Sequence, residues 1–158
     1  MARNRPSLKN SFQQQVSIQP DSRTYKILIE HYATGRGDIK RVVQLIDEMK
    51  RVQVPMDGRL YMALLKGFAR HGTEIRGAWS EQRLHAIYRA LMESLETGNK
   101  NIHLTKWLAL WILRAFARCS SRLTVFDVYI HLKRVGNFDQ SSISFLDHVT
   151  TSMMNKLR

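Results

Sequence analysis

Cysteine is nearly absent from the sequence: Cys119 is the only one in 158 residues. No disulfide can form within the chain, which excludes a fold held by covalent staples. A reducing compartment, the cytosol or the mitochondrial matrix, fits better. Proline is scarce, at three residues, so helices meet few breakers. No run of about 18 apolar residues occurs, and no membrane span is expected. The richest apolar stretch, Trp107 to Phe116, is interrupted by Arg114. Acid is also in short supply, with 13 Asp and Glu against 25 Lys and Arg and a formal net charge of +12. Such an excess attracts polyanions at long range without specifying a fold. Nucleic acid or a ribonucleoprotein is the expected partner, ahead of anionic lipid or a merely solubilising surface.

The groupings on which enzymes are built are missing too. None of His31, His71, His85, His103, His131 and His148 stands three to five residues from another, and the single cysteine has no companion, so no zinc site is expected. There is no Gly-x-Ser-x-Gly nucleophile motif and no phosphate-cradling glycine loop. Asp47 and Glu48 are adjacent carboxylates, but neighbours on a helix splay by about 100° and do not face each other. The expectation is a protein that is not an enzyme and carries no cofactor or metal.

What is present is an internal repeat. Tyr25, Leu28, Ile29, Tyr32 and Ala33 have helical spacing. The same spacing returns in Tyr61, Leu64, Leu65, Phe68 and Ala69, and again in Ala109, Ile112, Leu113, Phe116 and Ala117. A second set alternates with the first. It comprises Val42, Leu45, Ile46 and Met49, then Leu84, Ile87, Tyr88 and Leu91, then Val125, Val128, Tyr129 and Leu132. The pattern predicts paired helices over 22–34 and 38–52, 58–71 and 80–96, and 104–118 and 121–135, followed by a last helix over 140–156. Asp38, Ser80, Thr105, Ser121 and Asp139 are candidate N-caps. Gly35-Arg36-Gly37, His71-Gly72 and Gly136-Asn137 mark stops. A single pair cannot bury its apolar face, so neighbours must stack.

The expected fold is therefore all-α: an α-solenoid of about three helix–turn–helix repeats (22–57, 58–99 and 104–140) with a C-terminal capping helix over 141–158. The second pair is longer, and its extra residues, Thr73–Trp79, are expected to form a protruding loop. No cap precedes Tyr25. Either a protein partner covers the face of the first repeat, or the chain is the tail of a longer array. Residues 1–20 hold Arg3, Arg5 and Lys9 and no acid. They read as a weak transit segment or a disordered basic arm, and both readings stand.

The first repeat resembles the pentatricopeptide repeat family. The matching residues are Thr24-Tyr25-x-x-Leu28-Ile29-x-x-Tyr32, Val42-x-x-Leu45-Ile46-x-Glu48-Met49-Lys50 and Asp57, after an upstream Pro20-Asp21. The second repeat matches in Tyr61, Leu64-Leu65, Phe68, Arg70-x-Gly72 and Gly98-Asn99. The third departs from the pattern, with Ala109 in place of the tyrosine. The resemblance implies single-stranded RNA binding in mitochondria or plastids. It further implies that a residue near the start of each first helix, with the last residue of the repeat, reads one base. The positions implied here are Lys26 with Asp57, Met62 with Asn99, and Leu110 with Gln140. Met62 and Leu110 offer a base edge neither donor nor acceptor, which favours protein contact at those two positions.

Basic residues recur on the first helices. Lys66 and Arg70 stand one turn apart, and Arg114 and Arg118 repeat that placing in the third pair. Stacking is expected to align them, with Arg23, Lys26 and Arg59, into a stripe that tracks a phosphate backbone. Glu30 takes the matching position in the first repeat and weakens the stripe there. Trp107 and Trp111 share a helical face and are expected in packing. Trp79, in the inserted loop, is the expected exposed contact. The function expected is an RNA-binding adaptor in the mitochondrial matrix. The alternative is a protein-interaction scaffold or a subunit of a mitochondrial complex, the mitoribosome included.

Overall fold

The computed structural model describes residues 20–73 and 77–157. The candidate transit segment or arm lies outside the described residues. Among the described residues seven α-helices follow one another: α1 (Ser22–Glu30), α2 (Ile39–Arg51), α3 (Gly58–His71), α4 (Glu81–Glu96), α5 (Lys106–Cys119), α6 (Arg122–Val135) and α7 (Gln140–Lys156). Their bounds lie within a residue or two of the expected ones, with one exception. α1 widens after Glu30 into a π-helical segment, His31–Arg36, that ends at Gly37 with φ +63°. Among the described residues the one β feature is an isolated bridge between Thr73 and Ser80. The described residues form an all-helical fold.

Short polar side chains start each helix, satisfying backbone N–H groups that have no partner within the helix. Asp38, Ser80, Thr105, Ser121 and Asp139 each accept the N–H three residues on. Asp21 and Asp57 do the same for α1 and α3. Hydrogen bonds from the Thr24 backbone and hydroxyl hold the Asp21 carboxyl below the usual range, and Ser142 does so for Asp139.

α1, α3, α5 and α7 touch in succession, and the α3–α5 contact is the most extensive. α2 packs on α1, α4 on α3 and α5, and α6 on α5 and α7. One apolar core runs through all seven helices. Tyr25, Ile29, Leu65, Phe68, Leu113 and Phe116 enter it from the first helices, and Val42, Leu84, Leu91 and Val125 from the second. Each helix therefore points its i, i+3, i+4 stripe inward. Tyr88 of α4 sets its ring edge against Phe116 and its hydroxyl against the His131 ring, and burial pushes its pKa up to about 12.

The inserted segment after α3 corrects an expectation. Of Thr73–Trp79 the structure describes 73 and 77–79, and Trp79 does not protrude: it is 4% exposed. Its ring lies edge-on to Phe68 at 5.0 Å, and its indole N–H donates to the Gly37 carbonyl oxygen at 3.0 Å. The His71 Nε2 lies 2.9 Å from the Thr34 carbonyl oxygen. The carbonyls at the wide end of α1 are thus capped by side chains of the second helix pair. A Cβ on Gly67 would come within 2.7 Å of the Trp79 ring, so the ring sits where α3 has no side chain. A large apolar ring with one satisfied donor gains more from this slot than from solvent, and the polar signature of the loop did not reveal the slot.

Candidate nucleic-acid interface

Most lysines and arginines of the first helices meet in a groove that α3 and α5 line. Its wider chamber, about 730 Å³, is lined by Lys66 and Arg70 of α3, Trp111, Arg114 and Arg118 of α5, and Lys156 of α7. Glu30 and Thr34 form the edge toward α1, and Met153 of α7 and Leu157 just after it form the apolar part of the opposite wall. A smaller chamber of about 390 Å³ continues from it, sharing Glu30 and Lys66. It adds Lys26, Asp57, Arg59, Met62, Asn101 and His103. Residues spaced by three and four on α3 and α5 present one face to this groove, which is why helical spacing could foretell the convergence.

The two chambers differ in charge balance. In the smaller one Glu30 draws in both lysines, Lys66 Nζ at 3.5 Å and Lys26 Nζ at 3.9 Å. In the larger one, among the described residues, Arg70, Arg114, Arg118 and Lys156 have no carboxylate within ion-pair distance. Arg118 Nε donates to the Gly72 carbonyl oxygen at 3.1 Å, which fixes one edge of its guanidinium. The Arg114 guanidinium lies 5.0 Å from the centre of the Trp111 ring, and Lys66 Nζ lies 5.4 Å from it. Both are cation–π distances. Two of the cations are therefore steadied by one aromatic ring. The arrangement suits a polyanion: fixed positive charge, little acid and one half-buried aromatic face.

Of the residues expected at the site, Lys26, Arg59, Lys66, Arg70, Arg114 and Arg118 all line the groove. Arg23 does not; it is exposed in the first turn of α1, where its charge acts on Asp21. Asp57 borders the smaller chamber, yet its Oδ1 accepts the Leu60 N–H and so caps α3. The Asn99 Oδ1 accepts the Asn101 N–H, and it is Asn101 that reaches the groove. Met62 is half-buried at the groove wall. Leu110 and Trp79, expected as protein contacts, are each only 4% exposed. Leu110 was placed outward by the register of the first repeat, but α5 has helices against it on several sides and buries that face as well.

The aromatic residues exchange roles. Trp107, expected in packing, is 53% exposed and leans on Phe145 of α7 at 5.5 Å with Lys106 over its ring. Trp111 lines the groove. The spacing of Trp111 and Arg114, one turn apart, was the available signal. For Lys156, Met153 and Leu157 there was none, because the sequence does not state which way α7 lies.

Among the described residues no helix is long and apolar enough to cross a membrane. No protein-family model matches the chain, and comparison with curated proteins gives no match.

Proposed function

We propose that the chain is an RNA-binding adaptor of the pentatricopeptide repeat type, built as an α-solenoid of about three helical repeats, and that it acts in mitochondrial RNA metabolism or translation. The observation that carries this reading is the convergence of Lys66, Arg70, Arg114 and Arg118, drawn from two successive first helices, on one groove around Trp111. Single-stranded RNA offers such a groove a phosphate chain to neutralise and bases to stack. Base-by-base readout has weak support: Leu110 is buried, and the Asp57 and Asn99 oxygens hold backbone N–H groups. Binding led by charge and stacking follows, with a ribonucleoprotein partner supplying specificity.

The test is binding of labelled single-stranded RNA over a salt series. Affinity is expected to fall steeply as salt rises, and the double charge reversal Lys66→Glu with Arg70→Glu is expected to weaken binding at least about tenfold at low salt. A flat salt response, or unchanged binding by the double variant, refutes the reading.

One observation favours a second reading, a protein scaffold or complex subunit. Leu123, Phe126 and Ile130 make an exposed apolar stripe on α6, at 70, 43 and 38% exposure. Capture of the same partner after ribonuclease treatment, and its loss on Leu123→Glu, would favour this reading over the first.

A further inference from the structure

We infer that the larger chamber holds the phosphorylated end of an RNA strand: a terminal nucleotide with its base against Met153 and Leu157 and its phosphomonoester among Arg70, Arg114 and Arg118. This rests on the RNA-binding reading and adds which part of the strand the chamber takes. The argument starts from charge density. A strand passing through a chamber of about 730 Å³ leaves only a phosphodiester or two inside it, each carrying one negative charge. The chamber offers four cations without carboxylate partners among the described residues, Arg70, Arg114, Arg118 and Lys156. A terminal phosphomonoester carries about two charges and three acceptor oxygens, as a phosphorylated side chain does, and matches that density better.

Two features of the walls agree. The Arg118 guanidinium is anchored through Nε to Gly72, and that of Arg114 rests on the Trp111 ring, so neither must be ordered when the anion arrives. Met153 of α7 and Leu157 just after it give the chamber an apolar patch beside Lys156 that suits a base face. Glu30 and Lys66 join this chamber to the smaller one, where Glu30 offsets both lysines and a singly charged backbone is the better fit.

The experiment uses the full chain and one short oligouridylate in four forms: 5′-phosphate, 3′-phosphate, both ends hydroxyl, and circular. Binding is read by competition against a labelled strand at fixed salt. One phosphorylated form is expected to bind about tenfold tighter than the hydroxyl form, and which one identifies the end. The circular form is expected to bind no better than the hydroxyl form. Arg114→Gln with Arg70→Gln, both in the RNA groove, should weaken every form and the phosphorylated form most, so that the tenfold preference disappears. Trp111→Leu, which removes the support under Arg114, should weaken the phosphorylated form more than the circular one. Equal binding of all four forms by the wild-type chain overturns the terminal-nucleotide inference and leaves the RNA-binding reading intact. No binding of any form at low salt overturns both.

Discussion

The first and third helix pairs fold alike and differ in opposite senses. The first carries the clearer repeat motif, yet α1 buries few side chains, Tyr25 and Ile29 before its wide end and Ala33 within it. The third has lost the leading tyrosine, yet α5 is buried along nearly its whole length, from Leu108 to Cys119. Among the described residues α1 has α3 alone beside it in the row, whereas α5 lies between α3 and α7 and also carries α4 and α6. A motif of this kind records which turn of a helix faces inward. How deep that turn lies is decided by the neighbours, so sequence likeness and packing weight can run in opposite directions along one chain.

The sharpest way to break this comparison uses three residues of one register, Tyr32, Phe68 and Phe116. Tyr32 is half-buried, whereas Phe68 and Phe116 are 2% and 0% exposed. Phe116 also takes the ring edges of His85 and Tyr88 at 5.0 and 5.4 Å. Phe116→Ala is expected to cost about 3–5 kcal/mol, through lost burial and a cavity that its neighbours cannot fill. Tyr32→Ala, at the edge of the same core, is expected to cost about 1–2 kcal/mol. Urea unfolding with a common slope would measure both. Equal losses would mean that register alone sets the energetics.

Much of this was legible in the residues. All seven helices follow from apolar periodicity, and five of their caps from Ser, Thr and Asp placed just ahead of it. The groove cations were legible because i, i+4 pairs recur at like positions on α3 and α5. What stayed hidden depends on contacts between elements distant in sequence. The Trp79 slot needs Gly67 on α3 and the Gly37 carbonyl just beyond the wide end of α1. The burial of Leu110 depends on how many helices surround α5. The wall made by Met153 and Leu157 depends on the direction of α7. None of these is a periodicity, so no window of sequence carries them.

The same comparison holds along the groove, where Glu30 neutralises the α1 end and the described residues leave the α5 end uncompensated. Glu30→Gln should sharpen it. The change frees Lys26 and Lys66 and removes the one carboxylate that both chambers share, so RNA affinity is expected to rise about three- to tenfold at low salt. Folding stability should change by less than about 1 kcal/mol, because Glu30 and Lys26 are 38% and 37% exposed and Lys66 27%, so solvent screens both pairs. The gain should shrink as salt is added. A loss of affinity would show that Glu30 positions the lysines rather than competing for them.

The smallest effect concerns how the second helices end. α2 and α4 finish on the same turn: the Val54 N–H donates to the Met49 carbonyl oxygen at 2.9 Å, and the Asn99 N–H to that of Ser94 at 3.1 Å. Both turns need a left-handed residue, which is Gly98 at φ +73° in the second pair but Gln53 at φ +59° in the first. A side chain in that conformation costs about 1–2 kcal/mol, and glycine avoids the clash while adding unfolded-state entropy. Gln53→Gly is therefore expected to stabilise the protein by about 0.5–1 kcal/mol, and Gly98→Gln to destabilise it by a similar amount. Neither position lines the groove, so RNA affinity should stay unchanged in both. If Gln53→Gly lowers the urea midpoint instead, the left-handed turn is not where the first pair loses stability, and its light packing alone must account for the difference from the third.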